Sequence, residues 1–271
     1  MADAIPEPPV GAARRTLADG RRDLLIREEP LLLVVHGQQL LTMRTPGRDE
    51  DLALGFLLGE GGIARADDVV GLDFAAGDAE AARVDELRVT LRAAPQGLGR
   101  ERLARTHEIR SSCGVCGVAD PQTILAGAPP QLPGVPKLPR SRIAAWLRAL
   151  ADRQELFAVT GGSHGALVAH ADGAVLGCAE DVGRHNALDK ALGEAARAGA
   201  DLTRCVAVLS GRAGYDLVAK CLRLRLPVIV SVSAPSALAF DLCADAGATL
   251  VGFARGEACE VYCGAERLTD G

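Results

Sequence analysis

The first half of the chain contains apolar runs that predict strands, and one of them, residues 84–93, alternates polar and apolar positions with the period of two that is typical of half-buried strands. Such runs, rich in Leu, Ile and Val, cover residues 23–27, 31–36, 39–44 and 84–93. Asp49 begins a leucine-rich segment that ends at Glu60 and Gly61, which predicts a helix. We therefore expect a smaller N-terminal α+β domain over residues 23–126, preceded by a flexible arm over residues 1–22.

The second half alternates strand-like and helix-like segments. Apolar runs that predict strands cover residues 156–159, 174–178, 205–209, 227–232 and 249–253, and helix-like segments follow the second, third and fourth of them. This alternation predicts an α/β domain over residues 142–271, with a substantially parallel sheet and helices on its faces. Between the two halves, residues 127–141 carry five prolines, which predicts a linker.

The composition narrows the possible functions. The chain has 271 residues, 48% of them hydrophobic, so it can form one or two domains with real cores. Its net charge is −5 and its Lys and Arg residues are scattered, so we expect no nucleic-acid surface. No apolar run is long enough to span a membrane and the N-terminus lacks a signal-peptide core, so we expect a cytoplasmic protein with reduced cysteines.

Three segments of glycine and small polar residues follow predicted strands. In a parallel sheet such segments meet at one edge, where the N–H groups of helix starts attract anions. The candidate binding residues are Gly161, Gly162, Ser210, Gly211, Arg212, Ser233 and Ser236. A helix cap explains one such segment, but three of them with arginine nearby favour a phosphate-bearing ligand. The sequence has neither a GxxxxGK[ST] loop nor a strand followed by GxGxxG, which argues against a nucleotide triphosphatase and a Rossmann site.

Residues 180–186 (EDVGRHN) concentrate more functional side chains than a capped turn explains. Asp181 or Asn186 fits a cap, whereas Arg184 and His185 favour a ligand site. His164, which follows the glycine turn, is expected to join them.

Cys113 and Cys116 lie in a glycine-rich stretch, SSCGVCG, at residues 111–117. The spacing allows half of a zinc site, a thioredoxin-like dithiol, a structural pair, or a nucleophilic thiol that carries a cargo such as a persulfide. The sequence has no second CxxC and its neighbours indicate a loop, which weakens the zinc and thioredoxin interpretations. The other six cysteines lie in strand-like or helix-like runs and are predicted to be packing residues.

The order of these motifs resembles the FdhD family of formate dehydrogenase accessory sulfurtransferases. The resemblance runs from about residue 23 to the C-terminus. It covers RTPGRD at 44–49, LALGFL at 52–57, the thiol loop at 111–117, TGGSH at 160–164, residues 180–190, SGR at 210–212, SAPS at 233–236 and GFAR at 252–255. Gly165 and Gly214 stand where this family pattern would have Ala and Ser.

The resemblance implies both a function and a fold. Such a protein takes persulfide sulfur from a cysteine desulfurase on Cys113, with Cys116 as its companion. It passes the sulfur to Mo-bis(molybdopterin guanine dinucleotide), bound as a substrate, before this cofactor enters formate dehydrogenase. Further cofactor contacts would come from Phe253, Ala254, Arg255, Gly256, Glu257 and Ala258. The larger domain would be a cytidine-deaminase-like three-layer sandwich without the deaminase zinc signature, and the protein a homodimer that holds no metal tightly.

Two other classes of function remain open from the sequence. A non-catalytic chaperone would bind and deliver the cofactor through the sheet edge, and its thiols would be dispensable. A zinc-binding module would use the cysteines as ligands.

Overall fold

A computed structural model of the protein describes residues 7–78, 80–105 and 134–270. Cys113 and Cys116 lie outside the described residues, as do the end of the predicted N-terminal domain and the first part of the predicted linker. The described chain has the mixed α/β structure that the sequence predicts. None of its helices is long and apolar enough to cross a membrane.

The N-terminal half is built on a four-stranded sheet. Its elements are β1 (Ala12–Thr16), β2 (Arg22–Ile26), β3 (Glu29–Val35), β4 (Gln38–Arg44), α1 (Asp49–Gly59), β5 (Val69–Ala75), β6 (Asp85–Leu91) and α2 (Gly97–Arg105). Strands β3 to β6 form the sheet in the order β4-β3-β6-β5, and alternate residues of β3 face a core shared with α1. The expectation of a flexible arm is wrong for residues 12–16, because β1 pairs with β2 along its whole length.

The C-terminal half contains a six-stranded sheet. Its elements are β7 (Leu138–Pro139), α3 (Ser141–Ala151), α4 (Glu155–Thr160), β8 (His164–His170), β9 (Val175–Asp181), α5 (Arg184–Arg197), β10 (Cys205–Leu209), α6 (Tyr215–Arg223), β11 (Val228–Ser231), α7 (Ala237–Asp245), β12 (Thr249–Arg255), β13 (Ala258–Cys263) and β14 (Leu268–Thr269). The sheet order is β13-β12-β11-β10-β8-β9, and β7 pairs separately with β14. Only β10, β11 and β12 are parallel, so the sheet is less parallel than predicted.

Helices cover both faces of this sheet. One face packs against α5, α6 and α7, and the other against α3 through Ile143, Trp146 and Leu150. Because both faces are covered, every residue of β10 and β11 is buried, which explains their unbroken apolar sequences. The half therefore has three layers, while its kinship to cytidine deaminases stays a prediction.

The prediction of a strand at residues 156–159 is wrong, because these residues lie in α4. The carboxylate of Glu180 accepts hydrogen bonds of 2.8 Å from the backbone N–H groups of Leu156 and Phe157 and so satisfies the first turn of the helix. A four-residue apolar run has no diagnostic periodicity, and the partner that decides its structure is 24 residues away. The strand of this region is β8, which the sequence analysis missed.

The two halves meet where α1 packs along α5. A β-carbon at Gly55 would lie 1.8 Å from the carbonyl oxygen of Asp189, and one at Gly193 would lie 2.0 Å from that of Asp51. Only glycine allows the two backbones to approach this closely. The glycine of the LALGFL segment, Gly55, is therefore needed for the packing of α1 against α5.

Candidate anion-binding site

The segments that the sequence analysis selected converge at one edge of the six-stranded sheet. We call this surface the anion edge and define it as residues 161–164, 182–185, 210–212, 233–236 and Phe253. Residues 210–212 and 233–236 follow the carboxyl ends of β10 and β11. Residues 161–164 precede β8, but β8 runs antiparallel to β10, so its amino end lies beside the carboxyl end of β10. The sequence analysis assumed that all three segments follow parallel strands. The glycine segment instead reaches this edge because it lies at the start of the antiparallel strand β8.

Hydrogen bonds connect the neighbouring loops of the anion edge. The N–H of Gly165 donates to Oγ of Ser210 at 2.7 Å, and the N–H of Ser210 donates to the carbonyl of Gly165 at 2.9 Å. The N–H of Phe253 donates to the carbonyl of Ser233 at 3.2 Å. The hydroxyl of Ser210 thus has a structural role in fixing the backbone.

Three helices begin at the anion edge. Gly183, Gly214 and Ser236 are the N-cap residues of α5, α6 and α7. Ser236 is itself a helix cap, since its side chain accepts from the N–H of Ala239 at 3.2 Å. The N–H groups at the starts of these helices contribute a positive potential to this surface, so it can hold an anionic group.

Arginine and glycine residues complete the favourable features for an anion. Arg212 is exposed, Arg184 is partly exposed, and Gly161 and Gly162 present accessible backbone. The ring of His164 lies over Gly211, where a β-carbon would be 3.4 Å from Nδ1 of the histidine. Guanidinium groups beside exposed backbone N–H groups suit a phosphate or pyrophosphate.

Asp216 is a polar residue of this region that the sequence analysis missed. Its Oδ2 contacts Nε2 of His185 directly and lies 3.7 Å from Nη2 of Arg184. The carboxylate therefore bridges the first turns of α5 and α6. The chain separates His185 from Asp216 by 31 positions, so no local motif could have revealed the pair.

The two histidines near the anion edge are held in their neutral forms. Burial, followed by the charges of Lys220 and Arg184, lowers the pKa of His185 to about 3. Burial and the charge of Arg184 also lower the pKa of His164. A carboxylate oxygen in contact with Nε2 favours the neutral tautomer of His185 that has its hydrogen on this nitrogen.

Residues 180–186 divide between two tasks. Glu180 caps α4, as described above. Asp181 bonds to the loop after β4, and Asn186 bonds to the carbonyl of Met43 at the end of β4. The carboxylate of Asp181 accepts from the N–H of Thr45 at 3.0 Å and forms a buried ion pair with Lys190 at 2.8 Å. Arg184 and His185 are the members whose side chains lie at the anion edge or directly beneath it.

Residues 253–258 form the hairpin between β12 and β13, with Gly256 and Glu257 at its turn. Phe253 is exposed and has a φ of 48°, a left-handed conformation that a bulky residue rarely adopts. Arg255, Gly256, Glu257 and Ala258 are exposed as well. Ala254 was predicted to contact the cofactor, but its side chain is buried in the core that faces α3.

Within residues 7–78, 80–105 and 134–270, no three His, Cys, Asp or Glu side chains group as metal ligands. The predicted thiols at Cys113 and Cys116 are not part of these ranges.

The fold is that of a mixed α/β protein with a candidate anion site at one sheet edge, and comparison places it in a family. The chain belongs to the FdhD/NarQ family, whose model matches residues 26–269. It is 42% identical to the sulfur carrier protein FdhD of Anaeromyxobacter dehalogenans strain 2CP-C, over 96% of this chain and 95% of that protein. It is 40% identical to the sulfur carrier protein FdhD of Streptomyces avermitilis, over 92% and 90%.

The fold has a counterpart among solved structures. A crystal structure of a proposed formate dehydrogenase accessory protein from Desulfotalea psychrophila superposes with a TM-score of 0.71. The match covers 95% of this chain and 98% of the other, at 24% sequence identity. At this identity the likeness supports the fold.

Proposed function

We propose that this chain is a sulfurtransferase that accepts persulfide sulfur from a cysteine desulfurase and transfers it to Mo-bis(molybdopterin guanine dinucleotide). The sulfurated cofactor is then inserted into formate dehydrogenase, whose activity depends on the transfer. Membership of the FdhD/NarQ family, whose relatives are named sulfur carrier proteins, supports the sulfur chemistry. The homodimeric state that the family resemblance implies is part of this proposal.

The observation that carries the cofactor proposal is the convergence of three helix starts, exposed glycine backbone and two arginines at the anion edge. A guanine dinucleotide carries pyrophosphate groups, which are the ligands such a surface suits. Arg184 and Arg212 would contact phosphate oxygens, and His164 would hydrogen-bond as a neutral imidazole. Exposed Phe253 offers an aromatic face at the same edge.

The proposed sulfur transfer to the protein is balanced in atoms and electrons. The Cys113 thiolate attacks the outer sulfur of the donor's persulfide, the S–S bond of the donor breaks, and the donor cysteine leaves as a thiolate. Cys113 then holds the sulfur as a persulfide, with no net oxidation. Cys116 is the companion thiol.

Intact-mass spectrometry after incubation with a cysteine desulfurase and cysteine tests the proposal. We expect the wild-type chain to gain one sulfur atom, which dithiothreitol removes, and Cys113→Ala to lose this adduct. Cys113→Ala should also fail to restore formate dehydrogenase activity in a strain without the protein. Restoration of full activity by this variant would contradict sulfur carriage.

The chaperone alternative makes a different prediction in a parallel measurement. Guanosine diphosphate, half of the dinucleotide, serves as the probe for isothermal titration calorimetry. Sulfur transfer requires both the adduct and nucleotide binding, whereas a cofactor chaperone binds the nucleotide and forms no adduct. Loss of binding in Arg212→Ala, with normal adduct formation, would assign the two functions to separate parts of the chain.

A further inference from the structure

A cavity of about 410 Å³ lies beside β9, which is the outermost strand at one edge of the six-stranded sheet. Its lining comes from the turn between α3 and α4, from residues 175–178 in the first half of β9, and from Glu194 of α5. A volume of this size is in the range of ligand-binding clefts. None of the lining residues belongs to the anion edge, so the cavity is a separate site.

Side chains close the middle of this sheet edge. The N–H of Cys178 donates to Oε2 of Glu194 at 2.8 Å, and its carbonyl accepts from Nη1 of Arg48. Arg48 and Glu194 also form an ion pair of 2.7 Å. Because these side chains take the backbone groups that an added strand would use, the cavity suits a side chain better than a strand.

The charged side chains of the cavity are unequal in number. Three are acidic and one is basic: Asp152, Glu155, Glu194 and Arg153. Glu194 is paired with α1 as described, and the guanidinium of Arg153 donates to the carbonyl of Ala149 in the last turn of α3 at 3.0 Å. Among the residues that the structure describes, none forms an ion pair with Asp152 or Glu155. Two carboxylates at the cavity are thus available to a cation.

The position of Asp152 adds to the negative potential. Asp152 is the C-cap residue of α3, where the helix dipole already places a partial negative charge. A carboxylate here is unfavourable for the helix, so helix stability does not account for it. A cation bound between Asp152 and Glu155 is attracted by both carboxylates and by the end of α3.

We propose that this cavity binds an arginine side chain of a partner protein. A planar guanidinium donates to two carboxylates at once, with a geometric specificity that an ammonium group lacks. Helix α4, whose first residue lines the cavity, also exposes Phe157 and Val159. These apolar side chains can be covered by the residues that flank an arginine in a protein, but not by a free amino acid. The site is independent of the cofactor proposal.

Titration of the isotope-labelled full chain with a short peptide tests the site. The probe is acetyl-Gly-Leu-Arg-Leu-Gly-amide, and the readout is the set of amide chemical shifts. We expect saturable shifts at residues 152–155 and 175–178. The same peptide with citrulline in place of arginine should bind at least about tenfold more weakly, because citrulline is uncharged. Equal binding of the two peptides, or no shifts at these residues, would overturn the proposal.

Two double variants complete the test. Asp152→Asn with Glu155→Gln should weaken binding of the arginine peptide at least about tenfold. Asp241→Asn with Asp245→Asn, which removes two exposed carboxylates from α7, is the matched control and should leave binding unchanged. The unfolding temperature of the first variant should not fall, because Asp152 is unfavourable at its helix end.

The comparison of the two peptides uses the wild-type protein, so a folding defect in a variant does not affect it. Free L-arginine should bind more weakly than the arginine peptide. Binding of free L-arginine as tight as that of the peptide would assign a small-molecule site and contradict docking of a protein. Unchanged binding of the peptide to the first variant would contradict the role of the two carboxylates.

Discussion

At the scale of single residues, Asp216 determines how the side chains beneath the anion edge are arranged. Its carboxylate is in contact with Nε2 of His185 and lies near Arg184. The buried imidazole consequently has a fixed tautomer, and the negative charge of Asp216 offsets part of the positive potential of the helix starts. Asp216 thus acts on the site through its neighbours.

Replacement of Asp216 tests this arrangement. Asp216→Ala leaves the Nε2 hydrogen of buried His185 without its acceptor, so we expect the free energy of unfolding to fall by about 1–3 kcal/mol. Asp216→Asn keeps an acceptor oxygen and should cost less. Urea denaturation measures both variants, and equal losses would show that the hydrogen bond is not the cause.

The depressed pKa of His185 predicts a pH dependence of stability. The folded-state pKa of about 3 is below the unfolded value of about 6.5, so the unfolded chain binds more protons between them. This residue's contribution is complete above pH of about 6.5 and is lost as the pH falls, at up to about 1.4 kcal/mol per pH unit.

His185→Gln is the matched variant for that measurement, because glutamine also donates to Asp216 and does not titrate. The difference in unfolding free energy between wild type and variant should shrink from pH 7 toward pH 4. Other titrating groups cancel in this difference. A difference that is independent of pH would mean that the pKa of His185 is the same in the folded and unfolded states.

At the scale of secondary-structure elements, the crossing of α1 and α5 decides how the two halves fit. Gly55 and Gly193 bring each helix against the other's backbone, and neither contact has room for a β-carbon. Helix α5 also carries the buried Lys190, which forms an ion pair with Asp181 at the end of β9. A small change at the crossing therefore affects both packing and the ion pair.

Gly55→Ala and Gly193→Ala should each destabilise the protein by about 1–3 kcal/mol, because the helices must move apart. Gly71→Ala in β5 is the control, since its β-carbon would come no closer than 3.4 Å to any atom. The double variant should lose less than the sum of the single losses, because one separation of the helices relieves both clashes. Full additivity in guanidinium denaturation would contradict a shared crossing.

At the scale of the whole molecule, the halves are also fastened by polar groups from distant parts of the chain. The N–H of Thr45 donates to Asp181, and its carbonyl accepts from Nζ of Lys190 at 2.7 Å. Asp181 and Lys190 are both buried, so each charge depends on the other for its partner. This network explains why the loop after β4 is held close to the anion edge.

Lys190→Met keeps an apolar stem of similar length but leaves the Asp181 carboxylate buried without its ion-pair partner. We expect a loss of about 3–5 kcal/mol in the free energy of unfolding. Arg88→Met, which breaks an exposed pair with Glu86, should cause a far smaller loss. Comparable losses in thermal or chemical unfolding would show that the buried pair contributes no more than a surface one.

The sequence by itself determined the elements whose signals are local. Period-two alternation located β6, and apolar runs located β3, β4 and β10 to β12. Glycine or serine starts located α5 to α7 within a few residues. The glycine and serine segments also identified most of the anion edge, because such residues occur where a strand ends and a helix begins. The functional assignment of Cys113 and Cys116 remains a prediction from sequence and family.

The tertiary structure decided everything that depends on residues distant in the chain. Hydrogen bonds to Glu180 stabilise the first turn of α4. Gly161 and Gly162 reach the anion edge because they precede β8, which runs antiparallel to β10. The contact of Asp216 with His185 likewise joins separate elements. Periodicity and spacing record which face of an element is buried, but not which element covers it, and that choice arises only when the whole chain packs.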